Sequence, residues 1–371
     1  MLSCTAIAKY LLHPLHMMTS LSFLFFLKPI SFFFFLLCFH HVNSQLYQQE
    51  HSVLLRLNHF WQNQAPISHW LTSNASHCSW TEVQCTNNSV TGLIFSSYNL
   101  NGTIPSFICD LKNLTHLNLH FNFITGTFPT TLYHCSNLNH LDLSHNLLAG
   151  SIPDDIDRLS RLEHLNLGAN RFSGEIPVSI SRLSELKQLH LYVNKFNGTY
   201  PSEIRKLLNL EELLIAYNSN LQPAELPSGL SKLKKLRYLW MTDSNLIGEI
   251  PEWIGKLRDL VILDLSRNNL TGKVPHSLSK LKKLRIVYLF KNNLTGEIPE
   301  WIESENITEY DLSENNLTGG IPVSMSRIPA LSNVRLFSYM ILQGFQFTAN
   351  KTTGNMCSGG KLIQPEVRIT E

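Results

Sequence analysis

Histidine is the residue type in this sequence best suited to chemistry, because imidazole serves as a metal ligand and as an acid or base near neutral pH. Six histidines cluster along one stretch: His116, His120, His140, His145, His164 and His190. No nucleophile, carboxylate pair or metal-ligand spacing accompanies them. The sequence therefore predicts surface histidines, with a weak pH response as the alternative. It predicts no catalytic site, no metal site and no cofactor.

The charge balance also restricts function. Lys9 and Lys28 are the only charged residues among the first 44, so the remaining chain carries 28 basic and 28 acidic residues. The remaining chain has zero net charge, so no overall basic character points to nucleic acid as a partner, and the charge argument rests on local patches. The composition, with 43% hydrophobic and 16% charged residues, also excludes a collagen, a disordered charged tail and a polytopic membrane protein.

The N-terminal segment resembles a secretory leader. Residues 19–39 form an apolar run that Lys28 and Pro29 interrupt, and modest residues at Val42 and Ser44 suit a signal peptidase. The unbroken apolar part, residues 30–39, is too short to cross a bilayer as a helix. We predict a signal peptide over residues 1–44 and no membrane span in the mature chain. An uncleaved anchor is the alternative.

Five cysteines follow this leader, and in an exported chain they are interpreted first as disulfides. Cys78 and Cys85 flank a tryptophan and predict a local bridge, whereas a metal site there lacks a second close pair. Cys109 and Cys135 fall near the same phase of adjacent repeats, which favours a second bridge. Cys357 is left over.

Sequons of the form Asn-x-Ser/Thr indicate the same compartment. Ten asparagines head such triplets: Asn74, Asn87, Asn101, Asn113, Asn197, Asn269, Asn293, Asn306, Asn316 and Asn350. One triplet means little, but ten behind a leader favour a glycosylated surface.

A repeated unit dominates the rest of the chain. It reads Leu138-x-x-Leu141-x-Leu143-x-x-Asn146, followed by Leu148, Gly150 and Ile152-Pro153. The asparagine position recurs at Asn122, Asn146, Asn170, Asn194, Asn218, Asn268, Asn292 and Asn315, with Tyr98 and Ser244 in its place in two further units. A 24-residue spacing of this kind is typical of leucine-rich repeats.

The repeat predicts its own architecture. Leu-x-Leu places alternate side chains on opposite faces of a short strand, and the asparagine amide turns inward to satisfy backbone groups. Strands stack more closely than the bulkier return segments, so the array curves with its strands on the concave face. We predict an α/β-type solenoid, a right-handed superhelix of parallel strands. Its parts are an N-terminal cap over residues 45–89, ten repeats over residues 90–330, and a degraded repeat with an uncapped tail over residues 331–371.

The cap segment HCSWTEVQC and repeat segments such as NLTGEIPEWI resemble the ectodomains of plant leucine-rich repeat receptor-like kinases, in particular the HAESA-like group. The resemblance covers roughly residues 45–337. It implies recognition of a secreted peptide or protein ligand, with a co-receptor ectodomain as a further partner. The sequence lacks the Gly-x-Gly-x-x-Gly, His-Arg-Asp and Asp-Phe-Gly motifs of the kinase, which suggests a truncated receptor.

Binding in a solenoid is expected on solvent-facing strand positions. The unit Leu141-Asp142-Leu143-Ser144 is the plain version, and the middle repeats depart from it with larger side chains. The predicted ligand-binding residues are His190, Tyr192, Tyr217, Tyr238, Trp240, Tyr288 and Phe290. Aromatic side chains give an extended peptide a large contact area at small entropic cost. Scattered surface aromatics are the alternative.

Two basic runs lie beside these repeats. The first holds Lys232, Lys234, Lys235 and Arg237, and the second holds Lys280, Lys282, Lys283 and Arg285. They could meet an acidic peptide, a partner ectodomain or pectic polysaccharide, and a solvated face is the alternative.

These features together predict a non-enzymatic extracellular module that recognises a peptide or protein in plant signalling or defence. It would be secreted to the apoplast or held at the plasma membrane through a receptor complex. Two alternatives stay open. The first is a secreted inhibitor of a pathogen's wall-degrading enzyme, similar to polygalacturonase-inhibiting proteins. The second is a non-functional fragment of a receptor kinase gene.

Overall fold

A computed structural model describes residues 45–61, 67, 69–72, 75–300 and 306–336. The predicted leader, the sequons at Asn74 and Asn350, Cys357 and the tail after residue 336 lie outside these residues. Among the described residues, no helix is long and apolar enough to cross a membrane.

The N-terminal cap begins with an α-helix over residues 45–61, followed by a short helix, His69–Thr72, and an antiparallel pair of strands. Its core is aromatic, because Trp70 stacks on Trp80 with ring centroids 4.6 Å apart and Trp61 meets Phe95 of the first repeat at 5.5 Å. The Trp70 indole donates a 3.0 Å hydrogen bond to Glu82. The tryptophans therefore cover the end of the first coil, as the sequence predicts.

Two disulfides lie at this end of the molecule. Cys78 and Cys85 are joined across the cap with an S–S length of 2.01 Å. Cys109 and Cys135 join two successive coils. Both pairs are those that the sequence favours.

The repeats build one long sheet of twelve strands, in which all pairs after the first are parallel. Its strands are Val83–Thr86, Ser89–Ile94, His116–Asn118, His140–Asp142, His164–Asn166, Gln188–His190, Glu212–Leu214, Tyr238–Trp240, Ile262–Asp264, Ile286–Tyr288, Glu309–Asp311 and Asn333–Arg335. Each strand pairs in register with the next, so Leu141 lies opposite Leu165. We call the solvent side of this sheet the strand face.

Most coils then turn through a second, shorter strand, whereas the coil of Asn218 has only an isolated bridge between Ala224 and Leu246. These strands are Asn101–Gly102, Phe123–Gly126, Leu147–Gly150, Arg171–Gly174 and Lys195–Phe196 in one sheet, Ile247–Glu249 with Asn269–Thr271, and Thr295–Glu297 with Asn316–Thr318. Glycine ends several of them because the turn needs positive φ, as at Gly150 with φ of 83°.

Where the structure describes the return segment in full, a 3-10 helix leads the coil toward the next strand. These helices are Ser106–Asp110, Thr130–His134, Ile156–Arg158, Val178–Arg182, Ser202–Lys206, Ser228–Lys232, Glu252–Lys256, His276–Lys280 and Val323–Arg327, and the cap holds another at His77–Ser79. Most begin directly after a proline, whose fixed φ suits the start of a helix.

Buried asparagines tie successive coils together. The Asn146 amide donates to the carbonyls of Leu143 at 3.1 Å and Ser144 at 3.0 Å in its own coil, and to Leu119 at 2.9 Å in the preceding coil. Its Oδ1 accepts from the Ile124 backbone at 2.9 Å. This arrangement matches the structural role predicted for the asparagine column.

The alternation of leucine with polar residues gives the long sheet one buried side and one solvent side. Leu141 and Leu143 are fully buried, whereas His140 and Asp142 are half-buried on the strand face. The predicted fold class, a leucine-rich repeat solenoid built on a long parallel sheet, is confirmed.

Candidate functional site

Three aromatic side chains meet at the centre of the strand face. The Trp240 ring centroid lies 5.7 Å from that of Tyr192 and 5.7 Å from that of Tyr217. The Trp240 indole donates to Thr242 at 2.9 Å, which fixes the plane of the ring. Tyr217 is 40% exposed. We call Tyr192, Tyr217 and Trp240 the central aromatic cluster.

Glycine makes room for this cluster. A Cβ atom at Gly168 would overlap the Tyr192 ring, so the ring lies directly against the backbone of the preceding coil. The Tyr192 hydroxyl reaches 3.5 Å from Nε2 of His145. Burial, and then the nearby Asp142 carboxylate, raise the pKa of Tyr192, so its hydroxyl stays protonated as a hydrogen-bond donor.

A polar network borders the cluster. His190 Nε2 lies 2.9 Å from Glu212 Oε2, and Gln188 donates to the other Glu212 oxygen at 3.0 Å. Gln188 in turn contacts His164 Nδ1 at 2.8 Å. The hydrogen bond from His190 holds the pKa of Glu212 below its usual range despite the opposing effect of burial. This fixed carboxylate gives a ligand amide or ammonium a place to bind.

Toward the N-terminus, the strand face carries a row of histidines. His116, His140 and His164 occupy equivalent positions on adjacent strands, and we call them the histidine ladder. The His116 and His140 ring centroids are 3.9 Å apart with planes 12° apart, and His164 lies 5.0 Å from His140. Burial and then repulsion from His116 and His164 lower the pKa of His140 to about 4.

Toward the C-terminus the face becomes acidic. Tyr288 and Phe290 pair edge to face with centroids 6.4 Å apart, and the Tyr288 hydroxyl donates to Glu309. Asp264 Oδ1 accepts from the Ser266 amide at 3.0 Å and from its hydroxyl at 2.6 Å. Burial raises the pKa of Asp264.

The structure divides the predicted ligand-binding residues into groups. It brings His190, Tyr192, Tyr217 and Trp240 together, whereas Tyr288 and Phe290 form a separate pair. Tyr238 lies apart, under the Arg237 guanidinium at 5.4 Å.

Sequence reasoning missed the polar partners of these rings. They are Glu212 beside His190 and Glu309 beside Tyr288, together with the contact of Tyr192 with His145, and all three lie on or beside strands of the long sheet. Their signal in the sequence was a polar residue at an outward strand position. That signal is weak, because most coils carry one there.

Within the described residues, the close group of three potential metal ligands is His77 with Cys78 and Cys85. The two sulfurs are bonded to each other, so they are not free to hold an ion. The eight sequon asparagines in the described part of the chain are all exposed.

Comparisons with known proteins agree with the leucine-rich repeat fold. Residues 112–172 and 234–294 match the leucine rich repeat family. Over 60 residues, which are 16% of this chain and 6% of the relative, the sequence is 47% identical to receptor-like protein kinase HSL1 of Arabidopsis thaliana.

Solved structures match over a longer span. The Arabidopsis receptor kinase HAESA, in complex with the peptide hormone IDA and the co-receptor SERK1, superposes with a TM-score of 0.74 and 34% identity, over 79% of this chain and 50% of that chain. The plant peptide hormone receptor RGFR1, in complex with RGF2, superposes with a TM-score of 0.61 and 33% identity, over 71% and 45% of the two chains. The chain thus spans about half the length of these solved receptors. The chain is a leucine-rich repeat solenoid that is similar in sequence and fold to the HAESA-like receptor kinases.

Proposed function

We propose that this chain is an extracellular recognition module that binds a secreted peptide in extended form along the strand face. The observation that carries the proposal is the central aromatic cluster, whose three rings meet on the solvent side of the long sheet. Aromatic rings offer a ligand a large, rigid apolar surface, and Trp and Tyr dominate binding energy in many interfaces.

The polar groups around the cluster suit a peptide. Glu212, held by His190, can accept from backbone amides, while Asp264 and Glu309 favour a basic side chain or an amino group. Peptide complexes of the homologous HAESA and RGFR1 structures support the same ligand class. SERK1 in the HAESA complex supports a co-receptor ectodomain as a second partner.

The proposed chain organisation follows the sequence. A signal peptide over residues 1–44 directs the chain to the apoplast, where sequons carry glycans on a non-catalytic solenoid. The cap spans residues 45–89 and ten repeats span residues 90–330. The module acts in the apoplast or at the plasma membrane within a receptor complex.

The test uses the full chain secreted from plant cells. Calorimetry with synthetic IDA, RGF2 and a panel of secreted plant peptides identifies a ligand. We expect Trp240→Ala to weaken its binding at least tenfold, because truncating a central interface aromatic removes a principal contact. Gly168→Ala should also weaken binding, since the new Cβ displaces the Tyr192 ring.

Phe123→Ala is the matched control. This aromatic is 51% exposed but belongs to the second-strand sheet, away from the strand face. A folded chain that binds no peptide of the panel contradicts the proposal, and so does equal affinity of the Trp240 and Phe123 variants.

A further inference from the structure

A second surface carries charge in a regular order. The residue that ends the 3-10 helix is basic in six consecutive coils: Arg158, Arg182, Lys206, Lys232, Lys256 and Lys280. All six are exposed. Two positions later, three of these coils add Lys234, Arg258 and Lys282, which are exposed as well. We call these nine residues the basic stripe; the predicted basic runs supply four of its members.

The stripe runs along the solenoid axis, because equivalent residues of successive coils stack on one another. It lies at the end of each 3-10 helix and on the segment that follows, before the next strand of the long sheet, so it is separate from the strand face.

Part of the stripe is not neutralised by the protein. Arg158 pairs with Asp155 at 3.4 Å and Arg182 with Asp157 at 3.1 Å. Among the residues that the structure describes, no ion pair forms at Lys206, Lys232, Lys256 or Lys280. The nearby Asp259 is already occupied by Lys283 at 2.7 Å.

Three cations of the basic stripe lie close together around one surface groove. A surface cavity of about 490 Å³ is lined by Lys234, Gly255, Lys256, Arg258 and Asp259. Three cations therefore face a single space whose one carboxylate is paired elsewhere.

Lys234 is held in place at this groove. Its ammonium donates to the Ser231 carbonyl at 2.6 Å and to the Lys256 carbonyl of the next coil at 3.4 Å. Burial, and then repulsion from Lys256, Lys232 and Arg258, lower the pKa of Lys234. A bound anion would relieve this repulsion.

Sequons leave most of the stripe open. Asn113 and Asn306 are on the same kind of segment but precede and follow the six coils, whereas Asn197 and Asn269 belong to the second-strand side. A glycan on Asn306 would begin beside Lys282, because the Asn306 amide donates to the Lys282 carbonyl at 2.7 Å, whereas glycans at the other three positions would leave the stripe uncovered.

We propose that the basic stripe binds a linear polycarboxylate, a polyuronate chain that runs along the solenoid axis. A line of single charges on successive coils matches a polymer that repeats its carboxylates along its length. The stripe members are cations with no aromatic among them, whereas protein interfaces use buried aromatic anchors and single-stranded nucleic acid uses aromatic stacking. A membrane would present a broad plane of charge rather than a line.

Each exposed contact of this kind is weak, so affinity comes from many contacts at once. Binding should therefore rise with polymer length and fall steeply with salt, because polyion binding releases counterions.

The experiment measures binding of the full secreted chain to oligogalacturonates of three and about ten residues by calorimetry, in low and high salt. We expect the longer oligomer to bind at least tenfold more tightly than the trimer, and high salt to weaken it at least tenfold. Neutral dextran should not bind.

Replacing stripe lysines by glutamates tests whether the polymer binds at the basic stripe. We expect Lys232→Glu/Lys256→Glu/Lys280→Glu to lose at least tenfold in affinity. The matched control, Lys195→Glu/Arg267→Glu/Lys291→Glu, makes the same change of net charge at exposed positions outside the stripe. The control should bind as the unmodified chain does.

Three results would overturn the proposal: no binding at low salt, equal losses in the two triple variants, or equal affinity for a DNA oligonucleotide of matched charge. The stripe variants keep the central aromatic cluster intact. Peptide affinity in the same variants therefore separates a failure of this proposal from a failure of the peptide-binding function.

Discussion

Replacing His140 tests the electrostatics of the strand face, because this imidazole lies between two others in the histidine ladder. Its ring is 3.9 Å from His116 and 5.0 Å from His164, measured between centroids. The pKa of His140 falls from 6.5 to about 4, with burial as the largest cause. The folded chain therefore holds this ring neutral at a pH where the unfolded chain would protonate it.

The sign of the effect follows from proton linkage. Between pH 6.5 and 4 the unfolded state binds one more proton at this residue, so the free energy of unfolding falls as the pH falls. The stability is fully present above pH 6.5 and is lost toward pH 4. A pKa difference of about 2.5 corresponds to about 3.4 kcal/mol. Because the ring is only half-buried, solvent screening reduces the expected loss to about 1–2 kcal/mol.

The assay is urea unfolding of the secreted chain and of His140→Gln at pH 6.5 and at pH 4.5. We expect the unmodified chain to lose about 1–2 kcal/mol more than the variant between the two pH values. His134→Gln, an exposed histidine outside the ladder, should behave as the unmodified chain does. Equal pH dependence of the unmodified chain and His140→Gln would refute the reasoning.

The remaining predictions concern the scaffold. Asn146→Ala should lower the free energy of unfolding by about 1–3 kcal/mol, because it leaves the buried Ile124 amide without its acceptor and removes one of the donors to three carbonyls; urea unfolding checks this, and the half-exposed Asn137→Ala should cost under about 1 kcal/mol. Cys109→Ser/Cys135→Ser should cost about 3 kcal/mol, since this bridge closes a loop with a sequence separation of 26. Thermal unfolding checks the bridge, and a variant as stable as the unmodified chain without reductant would contradict the prediction.

Some features of the candidate site could be predicted from the sequence, because the same position in each repeat has the same orientation in every coil. A fixed period places Tyr238 and Trp240 on one strand and exposes both to the same side. The same period stacks the cations of the basic stripe. Each conclusion needs only the phase of a residue within its repeat.

The grouping of the aromatic residues could not be predicted in this way. Tyr192 and Trp240 meet although one coil lies between theirs, and the Tyr192 hydroxyl reaches back toward His145. These contacts depend on side-chain rotamers and on the space above Gly168, neither of which the period specifies. Tyr238, with the same residue type and an outward position, turns to Arg237 instead.

The sequence by itself determined the solenoid, its buried leucines, the inward asparagines and the cysteine pairs, because each follows from a local pattern that every coil repeats. The tertiary structure alone decided which outward side chains touch across coils. It grouped Tyr192, Tyr217 and Trp240, and it set the His190–Glu212 pair beside them. The physical reason is that burial fixes the inward rows of a repeat. The outward rows are arranged by contacts between neighbours, which differ from coil to coil.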